Sequence, residues 1–183
     1  MAQDVVVIVG SLRKESLNLK LAHALVALAP ASLTLEIVPI GQLPLYNADL
    51  DSPPRSEWAD FRARIKKADA VLFVTPEYNR SMPAAIKNAI DVASRPYGAN
   101  VWSGKPAAVI SASPGAMGGF GASHHLRQSL VFLNMPPLQQ PEAYIGHADK
   151  LFGADGKLAN DGTAKFLKSF LGAFDAWITK IKA

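Results

Sequence analysis

The chain enters its first structural element through the stretch Asp4-Val5-Val6-Val7-Ile8-Val9-Gly10-Ser11-Leu12-Arg13-Lys14-Glu15-Ser16-Leu17-Asn18, and this stretch decides the fold. Its first half is a continuous run of branched apolar residues, which is typical of a strand buried on both faces of a parallel sheet. Its second half is a polar loop that opens a predicted helix, Ser16 to Ala29, with leucines at helical spacing. The stretch therefore predicts a strand–loop–helix unit of an α/β protein.

The same alternation of strand and helix continues to the end of the chain. Four further strands are predicted at Leu33–Ile40, Ala70–Thr75, Ala107–Ser111 and Leu138–Ala143. Helices are predicted at Ser56–Ala68, Pro83–Ser94, Ala122–Leu133 and Thr163–Lys182. Five strands alternating with helices indicate a parallel sheet covered on both faces. We therefore expect residues 1–183 to form one flavodoxin-like domain, a three-layer sandwich whose five-stranded parallel sheet has the order 2-1-3-4-5.

Composition excludes several classes of protein. The 183 residues include no cysteine, so disulfides, a thiolate nucleophile and cysteine-ligated metal sites are excluded. Hydrophobic residues make up 49% of the chain, and no apolar run reaches the roughly 18 residues of a membrane span. The net charge of +4 comes from scattered basic residues, so a nucleic-acid partner is not expected. The amino terminus lacks a basic, cleavable leader, and a cytoplasmic location is expected.

Ligands of open α/β sheets bind outside the carboxyl ends of the strands. The first such loop, Gly10 to Asn18, leads into a helix amino terminus, where free N–H groups favour an anion. Ser11, Ser16, Asn18 and the Arg13 guanidinium can complete a phosphate site. The loop has neither the dinucleotide glycine pattern nor a Walker sequence. An ordinary helix start capped by Ser16, with the charges in solvent, explains the same residues.

Two further loops follow the third and fourth predicted strands. Thr75 to Pro83 contains two prolines, and its backbone can hold the edge of a flat heterocycle. The loop from Ser113 to Gly121 carries four glycines, which allow a ligand to approach the backbone closely. Each loop also has a simpler interpretation. The loop from Thr75 can be a turn packed around Tyr78, and the loop from Ser113 can be a flexible connection. The combination of the three loops is much more informative than any one of them.

Taken together, these motifs resemble the NADPH-dependent FMN reductase family, which includes bacterial quinone and chromate reductases. The family's pattern Gly-Ser-x-Arg-x-x-Ser-x-Asn is matched from Gly10 to Asn18, and its Pro-Glu-Tyr-Asn element from Pro76 to Asn79. The following Lys-Asn-Ala-x-Asp helix is matched by Lys87 to Asp91, and the glycine-rich loop and Leu126-Arg127-Gln128 agree in kind. Two positions depart from it: Glu15, and Arg80 after Asn79, both stand where the family often has glycine.

The resemblance implies an FMN-dependent NAD(P)H oxidoreductase that reduces quinones, and possible further acceptors are chromate, azo compounds and free flavin. It implies alternating, ping-pong half-reactions through one bound FMN, with NADPH or NADH as hydride donor. The implied FMN-binding residues are Ser11, Arg13, Ser16, Leu17, Asn18, Pro76, Glu77, Tyr78, Asn79, Ser113, Pro114, Gly115, Gly118 and Gly119. The flavin carries the chemistry, so no side chain is assigned a catalytic role.

Further expectations concern partners and alternatives. The resemblance implies a homodimer or homotetramer, and the helix Pro83–Ser94 and the segment Tyr97–Trp102 are candidate contact surfaces. Adjacent His124 and His125 would point in different directions on a helix, so neither a shared metal nor any other metal site is expected. A non-enzymatic electron carrier and a redox-sensing flavoprotein are the alternative functions. Turnover with NAD(P)H distinguishes both from the enzyme.

Overall fold

The computed structural model describes residues 1–183 and forms one five-stranded sheet of order β2-β1-β3-β4-β5, with every pairing parallel. The strands are β1 (Gln3–Val9), β2 (Leu33–Ile37), β3 (Ala70–Thr75), β4 (Ala107–Ala112) and β5 (Ala143–Ile145). The helices are α1 (Leu17–Leu28), α2 (Ser56–Lys67), α3 (Ala84–Ala93), α4 (Phe120–Phe132) and α5 (Asp161–Lys182). The predicted fold and strand order are confirmed.

The central strands are mostly apolar because each of their faces is buried against a separate layer of helices. Along β1, Val5, Val7 and Val9 belong to the core under α1 and α5. The intervening Val6 and Ile8 belong to the core under α2, α3 and α4. A strand between two cores has no solvent face, so its sequence shows no polar alternation.

Helix α5 closes the first core with one apolar stripe. Leu167, Phe170, Phe174 and Ile178 are all fully buried against the sheet and α1. The opposite side of α5 is polar, and none of the helices is both long enough and apolar enough to cross a membrane.

The fifth strand was predicted wrongly. It covers Ala143–Ile145 instead of Leu138–Ala143, and it pairs with the carboxyl-terminal half of β4. Leu138 makes one backbone hydrogen bond to Ala107, of 2.7 Å, but Pro141 has no N–H with which to continue a ladder. The apolar side chain of Leu138 is buried as expected, while the backbone around Pro141 is not that of a strand.

One candidate contact surface also requires correction. Trp102 is fully buried in the chain's own core, where its indole N–H donates to the Ile90 carbonyl and its ring lies near Phe61 and Phe73. It is therefore not available to a second subunit. Tyr97 of the same segment is 90% exposed and remains a candidate.

Candidate functional site

The loop after β1 presents an uninterrupted series of free donors. Every backbone N–H from Ser11 to Asn18 lacks a hydrogen-bond acceptor within the protein. The series ends in the first turn of α1, where the helix dipole places partial positive charge. Such an arrangement is suited to an anion with several oxygen atoms.

The charged residues of this loop differ in their surroundings. Arg13 is exposed and makes neither an ion pair nor a hydrogen bond, so its guanidinium is free for a ligand. Glu15 is also exposed, but its carboxylate lies 3.4 Å from the Lys20 ammonium. The negative charge that departs from the family pattern is thus offset by a neighbouring positive one.

Ser16 and Asn18 are buried and support the loop from below. The Ser16 hydroxyl accepts from the Leu19 N–H and caps α1. This agrees with the interpretation of the loop as an ordinary helix start capped by Ser16. The Asn18 amide donates to the Ala112 carbonyl at the end of β4, at 3.1 Å, while its Oδ1 has no partner. Leu17 lies between them and packs partly into the core.

The loop after β3 folds into a tight turn. Tyr78 and Ser81 exchange two backbone hydrogen bonds of 3.0 and 2.9 Å. Asn79 and Arg80 between them have φ angles of 50° and 64°, the left-handed geometry of a type I′ turn. The side chains of Tyr78 and Asn79 are exposed and make no hydrogen bond, whereas Pro76 below them is buried.

Glu77 connects this turn to the third loop. Its carboxylate accepts from the Ala122 N–H, in the first turn of α4, at 3.1 Å. The Arg80 guanidinium lies 3.4 Å from its other oxygen atom. The capping residue of α4 is Gly119, which has no side chain, so Glu77 performs that function from a distant part of the sequence.

The glycines of the third loop serve close packing against β4 and β5. Gly118 and Gly119 have positive φ angles of 59° and 83°. A Cβ atom at Gly118 would lie 2.6 Å from the Tyr144 carbonyl carbon, and one at Gly119 would lie 2.9 Å from the Ser111 Cβ. These two glycines were expected to let a ligand approach the backbone closely. In the structure they let the neighbouring strands β4 and β5 approach it instead.

The remainder of the third loop is open. Ser113 donates its hydroxyl hydrogen to the Gly115 carbonyl at 3.2 Å, and Pro114 and Gly115 are exposed. The N–H groups of Gly115, Ala116 and Met117 have no acceptor in the protein. Asn18 thus links the first loop to the end of β4, and Glu77 links the second loop to the start of α4, so the third loop is held at both of its ends. The side chains of Tyr78 and Asn79 take part in neither of these hydrogen bonds.

Three relationships at this end of the sheet were not predicted from the sequence. Asn88 belongs to a matched motif, but the sequence suggested no role for it. Its side-chain amide donates to the carbonyls of Leu43 and Pro44 and accepts from the Tyr46 N–H. His124 lies 3.0 Å from the Tyr144 hydroxyl, and His125 lies 2.7 Å from that of Ser81. The different directions of the two histidines were predicted from helix geometry, but their partners lie on other elements and left no signal in the sequence.

The chain matches one protein family over residues 4–150, described as NADPH-dependent FMN reductase. It is 62% identical to a quinone reductase of Pseudomonas putida, over 96% of this chain and 94% of that protein.

The chain belongs to the NADPH-dependent FMN reductase family.

Other members are similar over their whole length. A 2-hydroxy-1,4-benzoquinone reductase of Burkholderia is 46% identical, over 97% of each chain. The solved structure of FerB, a flavoenzyme NAD(P)H:(acceptor) oxidoreductase of Paracoccus denitrificans, superimposes with a TM-score of 0.92. It is 47% identical and covers 98% of each chain. The family inferred from the motifs, and with it the class of flavin-dependent NAD(P)H oxidoreductases, is confirmed.

Proposed function

We propose that this chain is a cytoplasmic, FMN-dependent NAD(P)H oxidoreductase that reduces quinones at the carboxyl edge of its sheet. The observation that carries the proposal is the series of free N–H groups from Ser11 to Asn18 beside the unpaired Arg13. The names of its relatives, two quinone reductases and an acceptor oxidoreductase, support the choice of acceptor.

The donors of the first loop fit the phosphate of FMN. Backbone N–H groups from Ser11 to Asn18 and the Arg13 guanidinium would surround it, and the Ser11 hydroxyl would add a further donor. The buried Oδ1 of Asn18, which accepts nothing from the protein, would suit a hydroxyl of the ribityl chain. Ser16 and Leu17 would hold the loop in place and contribute their N–H groups.

The second and third loops would hold the flavin ring by its edges. The N–H groups of Glu77, Asn79 and Gly115 are free on this side of the sheet, as a ring with several acceptor atoms requires. Pro76 and Tyr78 would contact the ring, while Ser113, Pro114, Gly118 and Gly119 would shape the strand ends around it. Donors near the ring would also stabilise negative charge on it.

When bound, FMN supplies the redox chemistry, accepting a hydride from the nicotinamide and passing the electrons to the acceptor. The loops form one open edge, so donor and acceptor would use it in turn, which is the physical basis of ping-pong kinetics. Chromate, azo compounds and free flavin would need only the same access.

Arginines near the edge would favour NADPH over NADH. Arg80 is 82% exposed and only loosely paired with Glu77, so it is available to a 2′-phosphate. Arg127 is a weaker candidate, because its guanidinium already donates to the Leu138 carbonyl at 2.9 Å.

A homodimer or homotetramer would cover the apolar side chains that the monomer leaves exposed. Tyr97 and Phe132 are 90% and 78% exposed, and both border crevices between α3 and α4. Light scattering at micromolar concentration tests this assembly, and a monomer contradicts it.

The proposed activity is tested with purified protein reconstituted with FMN under anaerobic conditions. Addition of NADPH or NADH should bleach the visible flavin spectrum, and a quinone should restore it. Double-reciprocal plots at several quinone concentrations should be parallel. Bleaching without quinone-dependent turnover indicates an electron carrier or sensor, and absence of bleaching refutes the proposal.

A further inference from the structure

Three aromatic rings cluster beside the third loop, in a position that the proposed flavin contacts do not use. The ring centroids of Phe120 and His124 are 4.2 Å apart, and that of Tyr144 lies 5.2 Å from Phe120. Phe120 is 41% exposed and His124 is exposed, whereas Tyr144 is half-buried. The cluster therefore presents aromatic surface to solvent without being part of either core.

The fold attaches this cluster directly to the proposed flavin site. Phe120 follows Gly119 in the chain and begins α4. Tyr144 lies opposite Ser111 in the β4–β5 register, one residue before β4 ends. Its backbone touches Gly118 so closely that a Cβ atom there would not fit. The rings thus stand at the carboxyl edge, next to the loop expected to border the flavin ring.

The cluster also holds a hydrogen-bonding group at its rim. The Tyr144 hydroxyl and the His124 Nε2 atom are 3.0 Å apart. When Nε2 carries the hydrogen atom, it donates to the phenol oxygen, and the phenol hydrogen is left for a second acceptor, a position for which a ligand carbonyl competes with the neighbouring Glu142 carboxylate. Burial raises the pKa of the Tyr144 phenol, and the neighbouring Glu142 carboxylate acts in the same direction. The hydroxyl therefore keeps its hydrogen atom at neutral pH.

We infer that Phe120 and Tyr144, with His124, form the binding platform for the quinone acceptor, with Phe120 stacking on its ring and the Tyr144 hydroxyl donating to a carbonyl oxygen. This inference rests on the proposed quinone reduction and names residues that select the acceptor. A quinone is flat and apolar with carbonyl acceptors at its edge, which matches an exposed ring beside one oriented donor.

The test measures binding without turnover. Anthraquinone-2-sulfonate is titrated by calorimetry into holoprotein with oxidised FMN, in the absence of NAD(P)H. Loss of an aromatic stacking contact is worth about 0.5–1.5 kcal/mol, so Phe120→Ala should weaken binding by roughly three- to tenfold. Tyr144→Phe keeps the ring and loses the donor, and should weaken binding by a similar factor. Val26→Ala, an exposed apolar residue near the carboxyl end of α1, should leave the affinity unchanged.

Parallel measurements separate the possible outcomes. Anaerobic bleaching of the wild-type flavin by NAD(P)H tests the proposed function by itself. If bleaching is normal but both variants bind the quinone within twofold of wild type, the platform is refuted while the reductase remains. A Phe120→Ala protein that changes its sedimentation coefficient while retaining wild-type quinone affinity also overturns the inference, because the rings then serve a contact between subunits.

Discussion

The carboxylate of Glu77 accepts a hydrogen bond from the backbone N–H of Ala122, across a gap of 45 positions in the sequence. This bond places a negative charge at the amino terminus of α4 and fixes the second site loop to the third. The Glu77 side chain is only 15% exposed, so solvent screens the interaction weakly.

Replacement of Glu77 should destabilise the fold, and the loss should be smaller when the new side chain still accepts a hydrogen bond. Glu77→Gln keeps an acceptor and loses the charge, at a cost of about 0.3–1 kcal/mol. Glu77→Ala loses both, at a cost of roughly 0.5–2 kcal/mol. Urea unfolding of the apoprotein measures both values. Glu15→Ala, which removes an exposed ion pair, should cost less than either, and equal effects of all three variants would disprove the capping role.

Arg80→Gly should stabilise the protein. Arg80 holds a left-handed φ of 64° in a turn whose favoured sequence is Asn-Gly. Relief of this strain, less the additional chain entropy of glycine, should yield roughly 0.5–1 kcal/mol. The measurement is the urea midpoint. Arg80→Ala removes the same charge but keeps the Cβ atom, so it should bring no gain; an equal gain would assign the effect to charge.

Arg13→Ala should weaken FMN binding selectively. Loss of a charge-assisted hydrogen bond to the phosphate costs roughly 1.5–3 kcal/mol, or about ten- to a hundredfold in affinity. Riboflavin has no phosphate, and its affinity should barely change. Calorimetric titration of both flavins into wild-type and variant apoprotein measures the ratio of the two affinities. An unchanged ratio would remove Arg13 from the phosphate site.

Asp51 should make the stability of the fold sensitive to acid. The Arg62 guanidinium donates to both of its oxygens, at 2.7 and 2.9 Å, and Tyr46 donates at 3.0 Å. These bonds, that of Arg62 foremost, lower the pKa of the Asp51 carboxyl below its usual value. A lowered folded-state pKa stabilises the protein above the unfolded-state pKa of about 4, and this stabilisation is lost as the pH falls further.

Asp51→Asn should therefore lose roughly 1.5–3 kcal/mol at neutral pH. Between about pH 4 and 2 its stability should fall less steeply than that of the wild type, because one linked proton is missing. Urea unfolding at a series of pH values measures both effects. Asp60→Asn, an exposed change without an ion pair, should follow the wild-type curve. Identical slopes for Asp51→Asn and wild type would contradict the assignment.

A strand was predicted accurately where its own residues carry a local signal. The first, third and fourth strands are apolar runs bounded by turn residues, and their positions agree with the structure to within one residue. The fifth strand is three residues long and lies at the sheet edge, so it lacks a comparable run. The buried Leu138 attracted the prediction, because burial and strand pairing have the same apolar signature.

The sequence by itself determined the βα alternation, the family and the three loops that gather at one edge, because each depends on residues close together in the chain. The tertiary structure alone decided which hydrogen bonds hold this edge together: Glu77 to Ala122, Asn18 to Ala112 and His124 to Tyr144. Each of these bonds joins residues on different elements at a distance of 3.0–3.1 Å, which only the packing of helices on the sheet can set.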